Sequence, residues 1–335
     1  MTCHVDVVIV GGGPAGVAAA ITLARAGCRA VLAHVLPARD PRIGEGLPPT
    51  ARGLLRKLGL LDRVLAAGHR PSHGTLAFWG ANTPHANDFV SQLQGHGLQL
   101  DRRGFDAMLR GAAHEAGVEI VEASVRVERP GEPALDRPHR VQLREAGRTL
   151  TCRWVIDAGG RPATIARQLG AACVHYDRLV AFRLRLRARS ASDQDGRTWV
   201  EAVEDGWWYS VLLPNGERVV AFLSDADLVD RRGLLTRNGL LAHLKGTTHI
   251  SELCAQHGYR PSGQAHGSDA CSAELTRASG AHWLAVGDAS LAFDPLSSKG
   301  ISSALHTGAL GADAILAHET GDAEALRRYA DHLRD

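Results

Sequence analysis

Lysine is nearly missing from this chain: of 38 basic residues only Lys57, Lys245 and Lys299 are lysines. Such a bias is expected of GC-rich codon usage and points to no particular chemistry. The bases are offset by 36 acidic residues, leaving a formal charge of +2, so nothing in the balance indicates nucleic acid or an acidic partner surface. Paired cysteines are missing too. Cys3, Cys28, Cys152, Cys173, Cys254 and Cys271 are scattered without a C-x-x-C, in a chain too long to need disulfide staples. They are expected as buried or free thiols in a reducing cytoplasm. No apolar run approaches the roughly 18 residues of a membrane span. The apolar N-terminus is interrupted by Gly11-Gly12-Gly13-Pro14 and has no basic segment before it, so no signal peptide is expected. Internal repeats and low-complexity stretches are absent as well. What remains is 335 residues, 44% of them hydrophobic, more than the roughly 100–200 residues of one domain. Two intertwined domains in a soluble, cytoplasmic protein are the expectation.

Val5 to Val10 is a β-branched run that meets glycines at once, as a buried parallel strand entering a turn does. Ala15 to Ala26 is rich in Ala, Leu and Ile and reads as a helix, Gly27 ends it, and Ala30 to Val35 reads as the second strand of a βαβ unit. Pro37 to Pro49 reads as loop, Thr50 to Leu65 as one helix, and Phe105 to Ala116 as an amphipathic helix with Arg102 before it. Strands are expected over Val118 to Val121, Val125 to Arg129, Val141 to Arg144, Leu150 to Trp154 and Val155 to Ala158. From about Val174 the texture changes to period-two alternation, through Leu179 to Leu186, Thr198 to Ala202, Trp207 to Leu213 and Arg218 to Leu223, with Asp/Gly turns between. That is an antiparallel sheet. Leu234 to Gln256 then reads as helical, Trp283 to Val286 as a short strand, and Gly300 to Glu319 as a long helix. The expected fold is α/β: a Rossmann-like dinucleotide domain over 1–70, 100–173 and 265–335, with an inserted antiparallel β-sheet substrate domain over 71–99 and 174–264.

Gly11-Gly12-Gly13-Pro14-Ala15-Gly16 satisfies G-x-G-x-x-G between a strand and a helix. Gly11, Gly13 and Gly16 then serve the tight turn, the close approach to a pyrophosphate and the helix–strand packing, while Pro14 and Ala15 open a helix whose positive end faces the phosphates. About 20 residues on, where an acid normally holds the ribose, this chain has His34, which can bond a hydroxyl but without a charge-assisted contact. His243, His249, His257 and His266 match no compact ligand spacing, so no metal is expected.

Farther on, Gly287-Asp288-Ala289-Ser290 and Asp294-Pro295-Leu296-Ser297-Ser298-Lys299-Gly300-Ile301 resemble the G-D-A…D-P…G motif of FAD monooxygenases related to aromatic hydroxylases, whose fold is of the glutathione-reductase type. That resemblance implies that Asp288 binds the ribityl chain and that Gly287, Pro295, Ser298, Gly300 and Ile301 lie at the flavin. It assigns Arg102, Val125, Asp157 and Gly159 to the cofactor as well. A narrower resemblance rests on Arg42-Ile43-Gly44-Glu45-Gly46-Leu47-Pro48-Pro49, on Gly206-Trp207-Trp208-Tyr209-Ser210 and on the segment from Asp294 to Gly300. These look like the branch holding flavin-dependent halogenases and the maturase flavoproteins of lysine ε-oxidase and glycine oxidase, which are implicated in forming tryptophylquinone. It places Arg42, Gly44 and Glu45 near the flavin. Those halogenases use a lysine a few dozen residues after the Gly-Glu motif, and His69 to Trp79 has none, which disfavours halogenation. The maturase-like resemblance is the closer one, particularly in Trp207-Trp208-Tyr209-Ser210 followed by the segment from Val219 to Leu228.

The resemblance implies FAD, dioxygen as co-substrate, and oxygen transfer through a flavin hydroperoxide to an aromatic or indole-like substrate, a peptide or protein tryptophan included. Trp207, Trp208, Tyr209 and Glu45 are the candidates for the catalytic side, with Trp208 facing opposite to its two neighbours because strand side chains alternate. The three aromatics are equally expected as sheet core, and Glu45 is either a base near the flavin or, the favoured reading, a hydrogen-bonding residue of its own loop. Electrons would come from NAD(P)H or from a separate flavin reductase, since no second dinucleotide fingerprint is present. The alternatives are a geranylgeranyl-reductase-like reductase or dehydrogenase, a halogenase, and a non-catalytic flavin-binding partner. Relatives of this type usually continue well past the equivalent of Arg327-Arg328-Tyr329, so either the sequence is a piece of a longer chain or the site is more open than usual.

Overall fold

The β-branched run at the start of the chain forms strand β1 (Cys3–Val10), and the Ala-rich segment behind the glycines forms helix α1 (Pro14–Arg25). The computed structural model describes residues 3–35, 44–81, 83–89, 95–128, 138–189 and 192–334. Strand β2 (Ala30–His34) completes the βαβ unit, pairing in parallel with β1. Helix α2 (Arg102–Glu115), capped by the Asp101 carboxylate on the Arg103 N–H, leads into β3 (Glu119–Glu122) at the far side of β2. Strand β4 (Arg148–Asp157) lies on the other side of β1, and Trp283–Ala285 pairs in parallel beyond it. The two strands expected at Leu150 and Val155 are thus one, because nothing between them interrupts the pairing with β1. The helix expected over Thr50 to Leu65 is two, broken where Gly59 takes a φ of +65°.

A second sheet is built from β5 (Leu179–Arg187), β6 (Thr198–Val203), β7 (Gly206–Leu212) and β8 (Glu217–Asp225), antiparallel in the order β5-β8-β7-β6. Gly74–Phe78 adds to β6 in parallel, and His85–Asp88 closes that edge. One face carries Phe182, Leu184, Trp208 and Phe222 into a core beneath the helices Arg237–Leu244 and His249–Gln256. The opposite face carries Ala181, Val200, Trp207 and Leu223. Leu234 to Gln256 is therefore not one helix but three short ones, with turns that let each lean on the sheet.

Two buried polar arrangements hold this half together. Glu201 accepts N–H bonds from Thr248, His249 and Ile250 at the start of the last of these helices. Arg218, fully buried, donates from Nη2 to Asp193 Oδ2 at 2.7 Å and from Nη1 to Ser210 Oγ at 3.0 Å, and Tyr259 donates to the same Asp193 oxygen at 2.7 Å. Helix α3 (Gly300–Glu319) returns to the first sheet and packs on α1. There Gly308 is required, because a Cβ would stand 2.1 Å from the Ala15 carbonyl oxygen.

Candidate active site

A single cavity of about 490 Å³ runs between the two sheets. One end is backbone-lined, by Gly13, Pro14, Ala15, Ala158, Gly159 and the Asp294–Ile301 turn; the other is lined by Thr198, Val200, Trp207, Tyr209 and Val211. Glu45, Gly46 and Arg102 lie between.

The backbone end fits a dinucleotide. Gly11, at φ +122°, lets the chain pass so close to β4 that a Cβ would stand 2.1 Å from the Ala158 carbonyl oxygen, so the turn can only be made by glycine. Helix α1 begins at Gly13 without a side-chain cap, which leaves its first-turn N–H groups for an anion. Gly16 and Gly287 do not line the cavity; they let α1 approach its own turn and the 287 loop. Asp288 does line it and faces Arg161, whose Nη2 donates to the Phe293 carbonyl at 2.9 Å. The uncapped start of α3 brings Ser298, Gly300 and Ile301 to the same wall.

His34 ends β2 beside the Gly12 backbone and does not line this cavity. There it has a companion that the motif did not reveal: Arg110 of α2 donates to the Gly12 carbonyl at 3.3 Å. Only the packing of α2 on α1 brings it there, so no spacing rule could have found it.

Three expected positions are corrected. The Asp157 carboxylate turns inward and accepts N–H bonds from Gly159 at 2.9 Å and from Ile165 and Ala166 at 2.8 Å, so it builds the turn instead of facing the cavity. Val125 pairs with Leu143 in the first sheet and does not line the cavity. Trp208 faces away from Trp207 and Tyr209, as the strand alternation implies, with its ring 5.2 Å from that of Phe222; what is corrected is its place among the catalytic candidates, because it does not line the cavity. Arg42 lies outside the described residues.

Where the two halves meet, Tyr209 donates to Glu45 Oε2 at 3.3 Å, and the Gly44 N–H reaches the same oxygen at 3.2 Å. Arg102 fixes this loop by donating to the Gly44 carbonyl at 2.8 Å. Burial pushes the Glu45 carboxyl above its ordinary range, against the pull of Arg102 and Arg183. Burial, then the Glu45 charge, pushes the Tyr209 phenol well above its own. The result is a buried acid whose Oε2 is held by hydrogen bonds of 3.2 and 3.3 Å, able to hold or take a proton inside the cavity.

Behind the wall, Gln99 is fully buried and donates from Nε2 to Ser72 Oγ at 3.1 Å and to Thr198 Oγ1 at 2.9 Å. Neither Gln99 nor Thr198 carries a sequence signal, since the strand holding Gln99 pairs with the Glu45 loop only in the folded chain. His249 stacks on Phe78 at 3.6 Å, and His243 meets Phe222 edge-on at 4.2 Å. Among the described residues no three metal-ligating side chains converge, and no helix is long and apolar enough to cross a membrane.

The family profile described as "FAD binding domain" matches residues 4–330. The FAD-dependent oxidoreductase LodB of Marinomonas mediterranea is 29% identical over 340 residues, covering 97% of this chain and 90% of its own length. The flavin-dependent halogenase CmlS superposes over 100% of this chain and 62% of its own, with TM-score 0.86 and 23% identity. The peptidyl tryptophan dihydroxylase QhpG superposes over 99% and 72%, with TM-score 0.77 and 23% identity. At those identities the two structures speak for the fold.

Proposed function

The chain belongs to the FAD binding domain family and is an FAD-dependent oxidoreductase; on that premise we propose that it is a monooxygenase that hydroxylates an electron-rich, indole-like aromatic ring, a peptide or protein tryptophan included. The observation that carries this is the continuity of one cavity from the glycine cradle to the Trp207–Tyr209 wall, with the buried Glu45–Tyr209 pair between. The fold shared with a peptidyl tryptophan dihydroxylase supports it.

Gly13 to Ala15 would hold the pyrophosphate of FAD, His34 and Arg110 the ribose side, Asp288 the ribityl chain, and the start of α3 the pyrimidine edge. When bound and reduced, FAD supplies the electrons that activate dioxygen. NAD(P)H or a separate flavin reductase delivers them. Val200, Trp207 and Val211 form an apolar wall that excludes water from the ring being attacked. Glu45 Oε2 accepts the proton that the ring releases, and the Tyr209 hydroxyl keeps that oxygen aimed into the cavity. None of the chain's three lysines lines the cavity, which favours hydroxylation over the lysine-steered transfer of hypohalous acid.

The test is oxygen uptake by reduced, FAD-loaded protein supplied with tryptophan-containing peptides and indole derivatives. Uptake in step with hydroxylated product is expected. Reduction of a substrate without oxygen uptake would replace this proposal with a reductase.

A further inference from the structure

The aromatic wall ends at Thr198, and behind Thr198 a fully buried amide sets the direction of its hydroxyl. Gln99 has two N–H bonds to give: one goes to Ser72 Oγ and the other to Thr198 Oγ1. Each hydroxyl is therefore an acceptor toward Gln99. Ser72 is buried, whereas Thr198 lines the cavity beside Val200 and Val211, so a Thr198 hydroxyl that accepts from Gln99 keeps its own proton to give to a group bound in the cavity. Among the described residues Gln99 Oε1 has no hydrogen-bond partner, and it lies near the Gly46 backbone, another lining position. A buried polar atom left unmade costs about 1–3 kcal/mol, so an arrangement that holds this amide in place is not expected of packing alone.

We propose that Thr198, oriented by Gln99, is the specificity-determining donor of the cavity, and that it selects aromatic substrates bearing an amide or comparable carbonyl oxygen on the side chain. The proposal rests on the aromatic substrate proposed above and narrows it to aminoacyl or peptidyl rings over bare ones. Glu45 as proton acceptor and Thr198 as proton donor give the cavity two polar groups of opposite sense. A ring carrying both an N–H and a carbonyl satisfies both. Gln99 is a positioning residue, acting only through Thr198. With its amide turned around, Thr198 would donate to Gln99 and meet the cavity as an acceptor alone, and the selection would reverse.

Equilibrium titration of the oxidised, FAD-loaded protein, followed by the flavin absorbance change, tests this with two probes: indole-3-acetamide and 3-ethylindole, which lacks the carbonyl. Thr198→Val is expected to weaken indole-3-acetamide about tenfold while leaving 3-ethylindole within about twofold. Thr198→Ser is expected to restore the amide probe to wild-type affinity. Gln99→Glu, whose carboxylate would draw the Thr198 proton away from the cavity, is expected to lose the amide preference as Thr198→Val does. Equal losses for both probes in Thr198→Val, no loss for either, or failure of wild type to bind either probe would overturn the proposal. If the preference holds but no oxygenated product forms, the subsite stands and the hydroxylation proposal falls.

Discussion

The two ends of the cavity are fixed by different physics. At the cofactor end, backbone meets backbone: Gly11 against Ala158, Gly16 against its own turn, Gly308 against Ala15. Side chains there would only intervene, so the geometry is specified by leaving them out. At the substrate end the wall is held by side chains that never touch the cavity, through the Arg218–Asp193–Tyr259 cluster, the Glu201 cap and the Gln99 amide. A ligand site built from absent side chains can serve one cofactor in many proteins, whereas one supported by buried polar networks can be retuned residue by residue.

Breaking the substrate end should have the largest effect. Asp193→Ala leaves the Arg218 guanidinium buried without its carboxylate, and a loss of about 3–5 kcal/mol is expected in urea unfolding. Replacing Asp193 and Arg218 together by Leu and Met should recover much of that loss. At the cofactor end, Gly11→Ala places a Cβ against the Ala158 carbonyl at a φ that disfavours it. A loss of about 2–4 kcal/mol is expected, together with protein purified largely free of flavin, measured by the flavin-to-protein absorbance ratio.

A smaller effect is expected of Glu201→Gln, which removes the charge from the cap of His249–Gln256 and should cost about 1–2 kcal/mol without changing flavin content.

The smallest effect is a slope. Because the Glu45 carboxyl titrates above its ordinary 4.5 in the folded protein, the folded state keeps a proton that the unfolded chain has released. Stability should therefore fall as pH rises from about 4.5 upward, and the difference in stability between wild type and Glu45→Gln should change over that window. A pH-independent difference would show that the carboxyl is not held protonated.

The same contrast explains what the residues disclosed before folding. Gly11, Gly13 and Gly16, the Gly287-Asp288 turn and the long helix from Gly300 were legible because a backbone contact leaves a glycine in a fixed place in the chain. The alternation of Trp207, Trp208 and Tyr209 was legible because a strand has a period of two, and the outer position of Trp208 follows from it. Asp157 misled because a carboxylate beside glycines reads alike whether it faces a ligand or caps its own turn. Arg110, Gln99 and Thr198 were invisible: each owes its place to contacts between segments distant in the chain, which no local pattern records.

Single turnover under ¹⁸O₂ tests the central claim most directly. Reduced, FAD-loaded protein is mixed with labelled oxygen and a tryptophan-containing peptide, and the product is weighed by mass spectrometry. One labelled oxygen on the indole ring, lost in Glu45→Gln, is the predicted result. An unlabelled product, or a halogenated one when halide is present, would contradict it.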